Sequence, residues 1–281
     1  MNTLAVNSLA VNRIDQRFSA LRTAGRTGLV PFVTAGDPLP DTDAAVALLH
    51  ALVAAGADLI ELGMPFSDPM ADGPAIQRAD ERALARHVGL LQVLQIARDF
   101  RAGDAHTPLV LMGYLNPIEI HGTARFAAEA AAAGVDGLLL VDAPQDDAAL
   151  SAALRAHGLL RLRLVAPNSD AVRMAEITAR AEGFVYFVSI TGTTGAARAE
   201  AGAIAGQLAE LRRLTSAPLV VGFGIRDGAD AQALVGQCDA VVIGSALVEH
   251  LAAATDAADA CARAQDFLAP VRAALDARRA A

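Results

Sequence analysis

With 281 residues, 54% of them apolar, the chain has material for one large core, and with 4% aromatics and no tryptophan that core must be built from Ala, Val, Leu and Ile. The formal net charge of −8 argues against nucleic acid or an anionic membrane surface as the main partner, since both call for a basic face. No apolar run reaches bilayer length, and MNTLAVNSLAVNRIDQ at the N-terminus lacks the early positive charge and apolar segment of a signal peptide, so a cytoplasmic location is expected.

In chain order, a helix expected over about 13–24 leads into the apolar run LVPFVT (29–34). A helix over 41–55 follows, then LIELG (59–63) and a long helical stretch, 75–101. PLVLMG (108–113) leads to helix 123–133, GLLLVD (137–142) to helix 146–157, and LRLRLVA (160–166) to helix 170–181. FVYFVS (184–189) leads to helix 200–214, PLVVGFG (218–224) to helix 227–236, and AVVIGS (240–245) to a stretch over 246–279 long enough for more than one helix. Short Val-, Ile- and Leu-rich runs of this kind are those of buried parallel strands. Eight strands, each followed by a helix, make the count of a (β/α)8 barrel. An open doubly wound sheet usually has fewer strands and a Gly-rich loop after the first; here the first turn is TAGDP (34–38), without G-x-G-x-x-G. AAGADLIELGMP (54–65) echoes AAGVDGLLLVDAP (132–144), as repeated units would. With no composition break or low-complexity linker, residues 1–281 are expected to form a single α/β domain, a TIM barrel with an extra N-terminal helix.

Two absences limit the chemistry. All 23 basic residues are Arg, so no Lys Schiff base can form on this chain. The six histidines are isolated and the two cysteines, Cys238 and Cys261, have no metal-type spacing, which leaves no recognisable metal site and makes both thiols structural.

Catalytic groups of a barrel sit at the C-terminal ends of its strands and in the loops beyond. Glu61 interrupts an apolar strand there. Either it points into the central pocket or it faces the helices and pairs with an Arg; an unpaired buried carboxylate is costly without a use, which favours the pocket. Asp72 lies in PFSDPMADGP (65–74), directly after that strand. Asp68 and Asp72 could be turn formers or caps, but Asp72 shares a βα unit with Glu61, and together they make a two-carboxylate site. GFG (222–224), GSAL (244–247) and ITGTTGA (190–196) follow three successive strands, and glycines there let backbone N–H groups approach a phosphate, with Ser245 adding a hydroxyl. Phe32, Met112, Tyr114, Leu139, Tyr186 and Phe223 fall near strand ends, where they are either core or the lining of a slot for a planar ring.

VPFVTAGDP (30–38), ELGMPFSDPMADGPAIQ (61–77), MGYLNPI (112–118), TGTTGA (191–196), GFGI (222–225) and GSALV (244–248) occur in the order and spacing of the tryptophan synthase alpha subunit family, which the chain resembles over nearly its whole length. The resemblance implies a (β/α)8 barrel that cleaves indole-3-glycerol phosphate to indole and glyceraldehyde 3-phosphate. It also implies an alpha2-beta2 heterotetramer, no cofactor in this chain, and pyridoxal phosphate in the beta subunit that receives the indole. Glu61 matches the catalytic glutamate that protonates indole C3 and takes the hydroxyl proton, and Asp72 the aspartate that draws on the indole N–H. Such a retro-aldol step needs neither Schiff base nor metal, because the protonated indole is its own electron sink and carboxylate acid–base catalysis is enough. Phe32, Met112, Leu139 and Phe223 match the indole slot, Tyr186 a tyrosine close to the glutamate, and Gly195, Gly224, Gly244 and Ser245 the phosphate cradle. Thr194 matches a loop residue that meets the aspartate on closure, and Asp68, Pro69 and Asn116 match beta-subunit contacts. DAPQDD (142–147) and the Arg position in TGAAR (194–198) depart from the family pattern at no catalytic position. Other readings are a stand-alone indole-releasing lyase, a ligand-binding regulatory subunit, which would not need both carboxylates, and another phosphate-binding barrel enzyme, whose chemistry is usually carried by lysines.

Overall fold

The computed structural model describes residues 12–39, 41–188, 197–222 and 224–277. Helix α1 (Arg13–Ala24) precedes strand β1 (Gly28–Thr34), and α2 (Thr42–Ala54) leads to β2 (Ile60–Gly63). The expected long helix over 75–101 is two, α3 (Pro74–Ala85) and α4 (Leu90–Gly103), because the chain turns at His87, whose φ of 61° is left-handed, and Gly89 starts the second helix. Strand β3 (Leu109–Gly113) is followed by α5 (Leu115–His121), a short helix not expected from the sequence, and α6 (Thr123–Ala132). Pro117 sits in the first turn of α5, where a missing N–H breaks no helical bond. The chain continues through β4 (Gly137–Leu140), α7 (Ala148–Ala156), β5 (Leu160–Arg161), β6 (Arg163–Val165), α8 (Ala171–Thr178) and β7 (Val185–Val188). Then come α9 (Ala197–Leu214), β8 (Leu219–Gly222), α10 (Gly228–Ala233), β9 (Ala240–Ile243), α11 (Ser245–Leu251) and α12 (Ala257–Asp276).

All neighbouring strands pair in parallel, in the order β5-β4-β3-β2-β1-β9-β8-β7-β6. The two ends of that order, β5 and β6, are successive pieces of the run expected as one strand over 160–166. They part only at Leu162, whose N–H still bonds Leu138 O at 2.9 Å, so the sheet closes into a barrel of eight staves.

Strand parity divides the core into two layers. Val30, Phe32, Leu59, Val110, Met112, Tyr186, Val220 and Val242 pack inside the barrel, joined by Ile14 and Phe18 of α1. Their neighbours in sequence, among them Leu29, Val33, Ile60, Leu62, Leu109, Leu111, Val221 and Ile243, pack against the outer helices. α1 sits at the end where the strands begin: the Asn12 amide donates to Asp136 O (2.9 Å) and Gly158 O (3.0 Å).

That end carries a repeated device. Asp58, Asp136, Glu182 and Asp239 each stand just ahead of a strand (β2, β4, β7 and β9). Each accepts the N–H of a residue at the start of the preceding stave: Leu29 (3.0 Å), Leu109 (2.8 Å), Arg161 (2.9 Å) and Leu219 (2.7 Å). Each also meets a guanidinium, from Arg272, from Arg13 and Arg101, from Arg155, and from Arg212 respectively. The carboxylates satisfy strand-end amides that would otherwise be buried without partners. The echo between 54–65 and 132–144 is thereby explained, since Asp58 and Asp136 do the same work.

Candidate active site

Glu61 lies between Ile60 and Leu62, both of which face the helices. Alternation along the strand therefore turns Glu61 into the barrel, beside Phe32 of β1 and Val110 of β3 in register. The helix-facing alternative is excluded by this parity. The side chain is fully buried, and among the described residues neither carboxylate oxygen has a hydrogen-bond partner. Burial pushes its pKa up to about 8, because an anion there has nothing to replace water. At neutral pH Glu61 is a protonated acid aimed into a cavity.

The cavity wall nearest Glu61 is formed by Phe32, Met112 and Tyr186, with Ile76 of α3. Tyr186 pairs in register with Val220, and its ring crosses over Gly222, where any Cβ would lie 2.0 Å from the Tyr186 hydroxyl. Its phenol is pushed well above the ordinary value, first by burial and then by the Glu61 and Asp72 charges. Leu139 is fully buried in the inner layer and does not line the cavity. The far wall is Gly224, Gly244 and Ser245, with Ile225 and Arg226. Gly224 takes a φ of 80°, which keeps the turn after β8 open to glycine. Thr194, Gly195 and Phe223 lie outside the described residues.

Asp72 is held in the loop between β2 and α3. Its Oδ2 accepts the Tyr114 hydroxyl at 2.7 Å, and the same Tyr114 oxygen accepts the Ala71 N–H at 3.0 Å. Gln77 Nε2 donates to Asp72 O at 2.9 Å. Burial raises the Asp72 pKa and the Tyr114 hydrogen bond opposes the rise. Tyr114 thus positions a carboxylate, and its ring stacks on Phe66 at 4.9 Å. A second small cavity joins Asp72 to Phe32, Ile76, Met112 and Tyr114, so both carboxylates look onto one apolar floor.

Asp68 and Pro69 lie on the outer side of the same loop, where the Ser67 hydroxyl donates to Asp68 at 2.6 Å. Asn116 is exposed on α5, and Ile120, one turn on and on the same face, is 80% exposed. Met70, next to Pro69, is 86% exposed. Sequence reasoning did not single out Ile76, Asp80, Arg226, Met70 or Ile120. The i, i+4 spacing of Ile76 and Asp80 just after Asp72 was the available signal for the first two.

Among the described residues no group of three His, Cys, Asp or Glu side chains converges where a metal could sit. Burial raises the Cys238 thiol to about 12 and also lifts that of Cys261, so neither is an activated nucleophile. Among those residues, no helix is long and apolar enough to cross a membrane.

Comparison with known proteins bears on this geometry. A family model described as tryptophan synthase alpha chain matches residues 18–275. The tryptophan synthase alpha chain of Xylella fastidiosa (strain M12) is 54% identical over 268 residues, covering 95% of this chain and 99% of that protein. The Xanthomonas campestris pv. campestris (strain B100) protein of the same name is 53% identical, covering 96% and 99%. Among solved structures, tryptophan synthase subunit alpha from Legionella pneumophila superposes with a TM-score of 0.87 at 40% identity, covering 95% of this chain and 99% of that one. A chain of the tryptophan synthase alpha2-beta2 complex of Pyrococcus furiosus superposes with a TM-score of 0.80 at 36% identity, covering 88% and 98%.

Proposed function

The chain belongs to the tryptophan synthase alpha chain family, and from that premise we propose that Glu61 and Asp72 are the acid–base pair of its reaction. It is a carbon–carbon lyase that cleaves indole-3-glycerol phosphate to indole and glyceraldehyde 3-phosphate, and it works with a beta subunit in tryptophan biosynthesis. The observation that carries the assignment is Glu61, fully buried inside the barrel, with neither oxygen bonded among the described residues and its pKa raised by burial to about 8.

A neutral Glu61 can protonate indole C3, which makes the ring a leaving group. The resulting carboxylate then takes the proton of the side-chain hydroxyl as the carbon–carbon bond breaks and the aldehyde forms. Asp72, held by Tyr114, accepts the indole N–H and favours the cation-like ring of the transition state. Phe32, Met112 and Tyr186 sandwich the ring above Leu139, and we assign Phe223 to the same slot. Gly224, Gly244 and Ser245, together with Gly195, are read as the phosphate cradle, and Thr194 as the residue that meets Asp72 when its loop closes over substrate.

Asp68, Pro69 and Asn116 are assigned to the beta-subunit contact, beside the exposed Met70 and Ile120. Pyridoxal phosphate belongs to that partner, since a chain without lysine cannot hold it as a Schiff base. We read residues 1–281 as one domain acting in the cytoplasm.

The test is indole release from indole-3-glycerol phosphate by the purified chain, alone and with a beta subunit. Slow release that accelerates strongly with the partner is expected, and Asp72→Asn should lower kcat by roughly 10²-fold. Fast release without a partner would point to a stand-alone lyase, and unchanged activity in Asp72→Asn would remove Asp72 from the chemistry.

A further inference from the structure

Asp80 is a buried carboxyl that neither the acid–base pair nor the phosphate wall uses. It stands on α3, is 4% exposed, and lines the same small cavity as Asp72 and Tyr114. Among the described residues no cation pairs with it. Arg82 of the same helix is gripped at two points by Asp37 (2.6 and 2.8 Å), and Arg78 pairs with Glu249 of α11 (3.0 Å). The charges that face Asp80 are negative: Asp72 from the loop after β2 and Asp37 from the loop after β1, with the Tyr114 phenol against Asp72. Two groups near it favour its charged form, the Phe66 backbone N–H and the Thr34 hydroxyl, and burial outweighs both; the Thr34 hydroxyl, buried at the end of β1, has no hydrogen-bond partner among the described residues. Phe66 stacks on Tyr114 and the Tyr114 hydroxyl holds Asp72. Asp80, Tyr114 and Asp72 thus line one cavity, and Phe66 stacks on Tyr114.

Two carboxylates sharing a low-dielectric site do not both ionise readily, and one keeps its proton. Asp72 has the better anion partner in the Tyr114 O–H. The proton falls to Asp80, which burial first and the Asp72 charge second push up to about 7.

We propose that Asp80 is a positioning residue for the cleavage: as a neutral acid it adds no second charge to the cavity that it shares with Asp72 and Tyr114, and so leaves Asp72 as the anion that meets the indole N–H. Loss of the Asp80 proton sets a second charge against Asp72, which disfavours the Asp72 anion and lowers turnover. The inference rests on the acid–base reading of Asp72.

The experiment is kcat against pH for the full chain saturated with its beta subunit, with Asp80→Asn in parallel. Wild-type kcat should fall in two steps, near pH 7 as Asp80 ionises and near pH 8 as Glu61 does. Asp80→Asn, the same shape without the charge, should lose the lower step, so its ratio of kcat at high pH to kcat at low pH exceeds that of wild type by about fivefold, with KM little changed. A ¹³C NMR titration of the Asp-labelled chain without substrate gives an activity-free readout: one carboxyl titrates near neutrality in wild type and is missing from the variant. If Asp80→Asn does not fold, Asp80→Ser, equally neutral and smaller, replaces it. Superimposable profiles from an active wild type, or no carboxyl titrating near neutrality, overturn the proposal and leave Asp72 in place. A wild type that releases no indole at any pH overturns the reading of the site itself.

Discussion

The two ends of the barrel bury carboxylates equally well and treat them oppositely. Asp58 and Asp136, where the strands begin, are 4% and 2% exposed, and Glu61, near where β2 ends, is fully buried. Each acid at the first end accepts a strand amide and meets at least one guanidinium. Glu61 has neither. Burial alone thus does not mark a functional acid. What separates the two ends is whether the surroundings replace the water that burial removed. Where they do, the carboxylate holds staves together; where they do not, as at Glu61, the proton is kept and becomes available for transfer.

The largest expected effect breaks the contrast at its functional end. Glu61→Gln should lower kcat/KM for indole-3-glycerol phosphate by about 10³-fold while making the fold more stable. The sign follows from linkage: a carboxyl raised from 4.5 to about 8 on folding contributes stability below pH 4.5 that is lost as pH rises through 8. Gln does not titrate. The melting temperature of Glu61→Gln should therefore exceed that of wild type by a margin that grows between those pH values. A variant with wild-type turnover would show that Glu61 is not the acid.

At the other end the outcome should reverse. Asp58→Ala removes the acceptor for Leu29 N–H and the carboxylate facing Arg272, which should cost about 3 kcal/mol of unfolding free energy. Indole release per folded molecule should stay the same, and denaturant melts read against activity would reveal any departure.

A smaller change sharpens the contrast within the site. Tyr114→Phe deletes the hydrogen bond to Asp72, a loss of roughly 1 kcal/mol. It should lower kcat about fivefold, with a raised apparent pKa for Asp72 on the acidic limb of the pH profile. An unmoved limb would detach Tyr114 from Asp72. The smallest effect is expected from Arg155→Ala. The Arg155 side chain is 63% exposed beside Glu182, so the melt should shift by less than about 1 kcal/mol. A larger loss would mean that the outer guanidinium, and not the amide at Arg161, is what Glu182 serves.

Much of the fold was legible in the amino-acid order. The eight apolar runs and the helices between them recur in the structure, because burial on both faces imposes a local pattern on a parallel strand. The stretch 75–101 reads as one helix in the sequence because no proline interrupts it; the left-handed turn at His87 breaks it and sets Val88 into the core. α5 was invisible for the opposite reason, a seven-residue helix too short to show a period.

The sequence by itself settled which chemistries were open. It contains no lysine, it places Glu61 in a strand and Asp72 in the loop beyond, and its motifs run in one family's order. Which acid keeps its proton was decided by tertiary structure alone. Asp58, Asp136 and Glu61 are carboxylates in similar apolar surroundings along the chain, and Asp80 is one more on a charged helix. Their different surroundings follow from partners distant in sequence, such as Arg272 for Asp58, 214 residues away, or from the lack of any such partner for Glu61 among the described residues. Electrostatic energy depends on distance in space and on the solvent displaced, and chain order does not record either one.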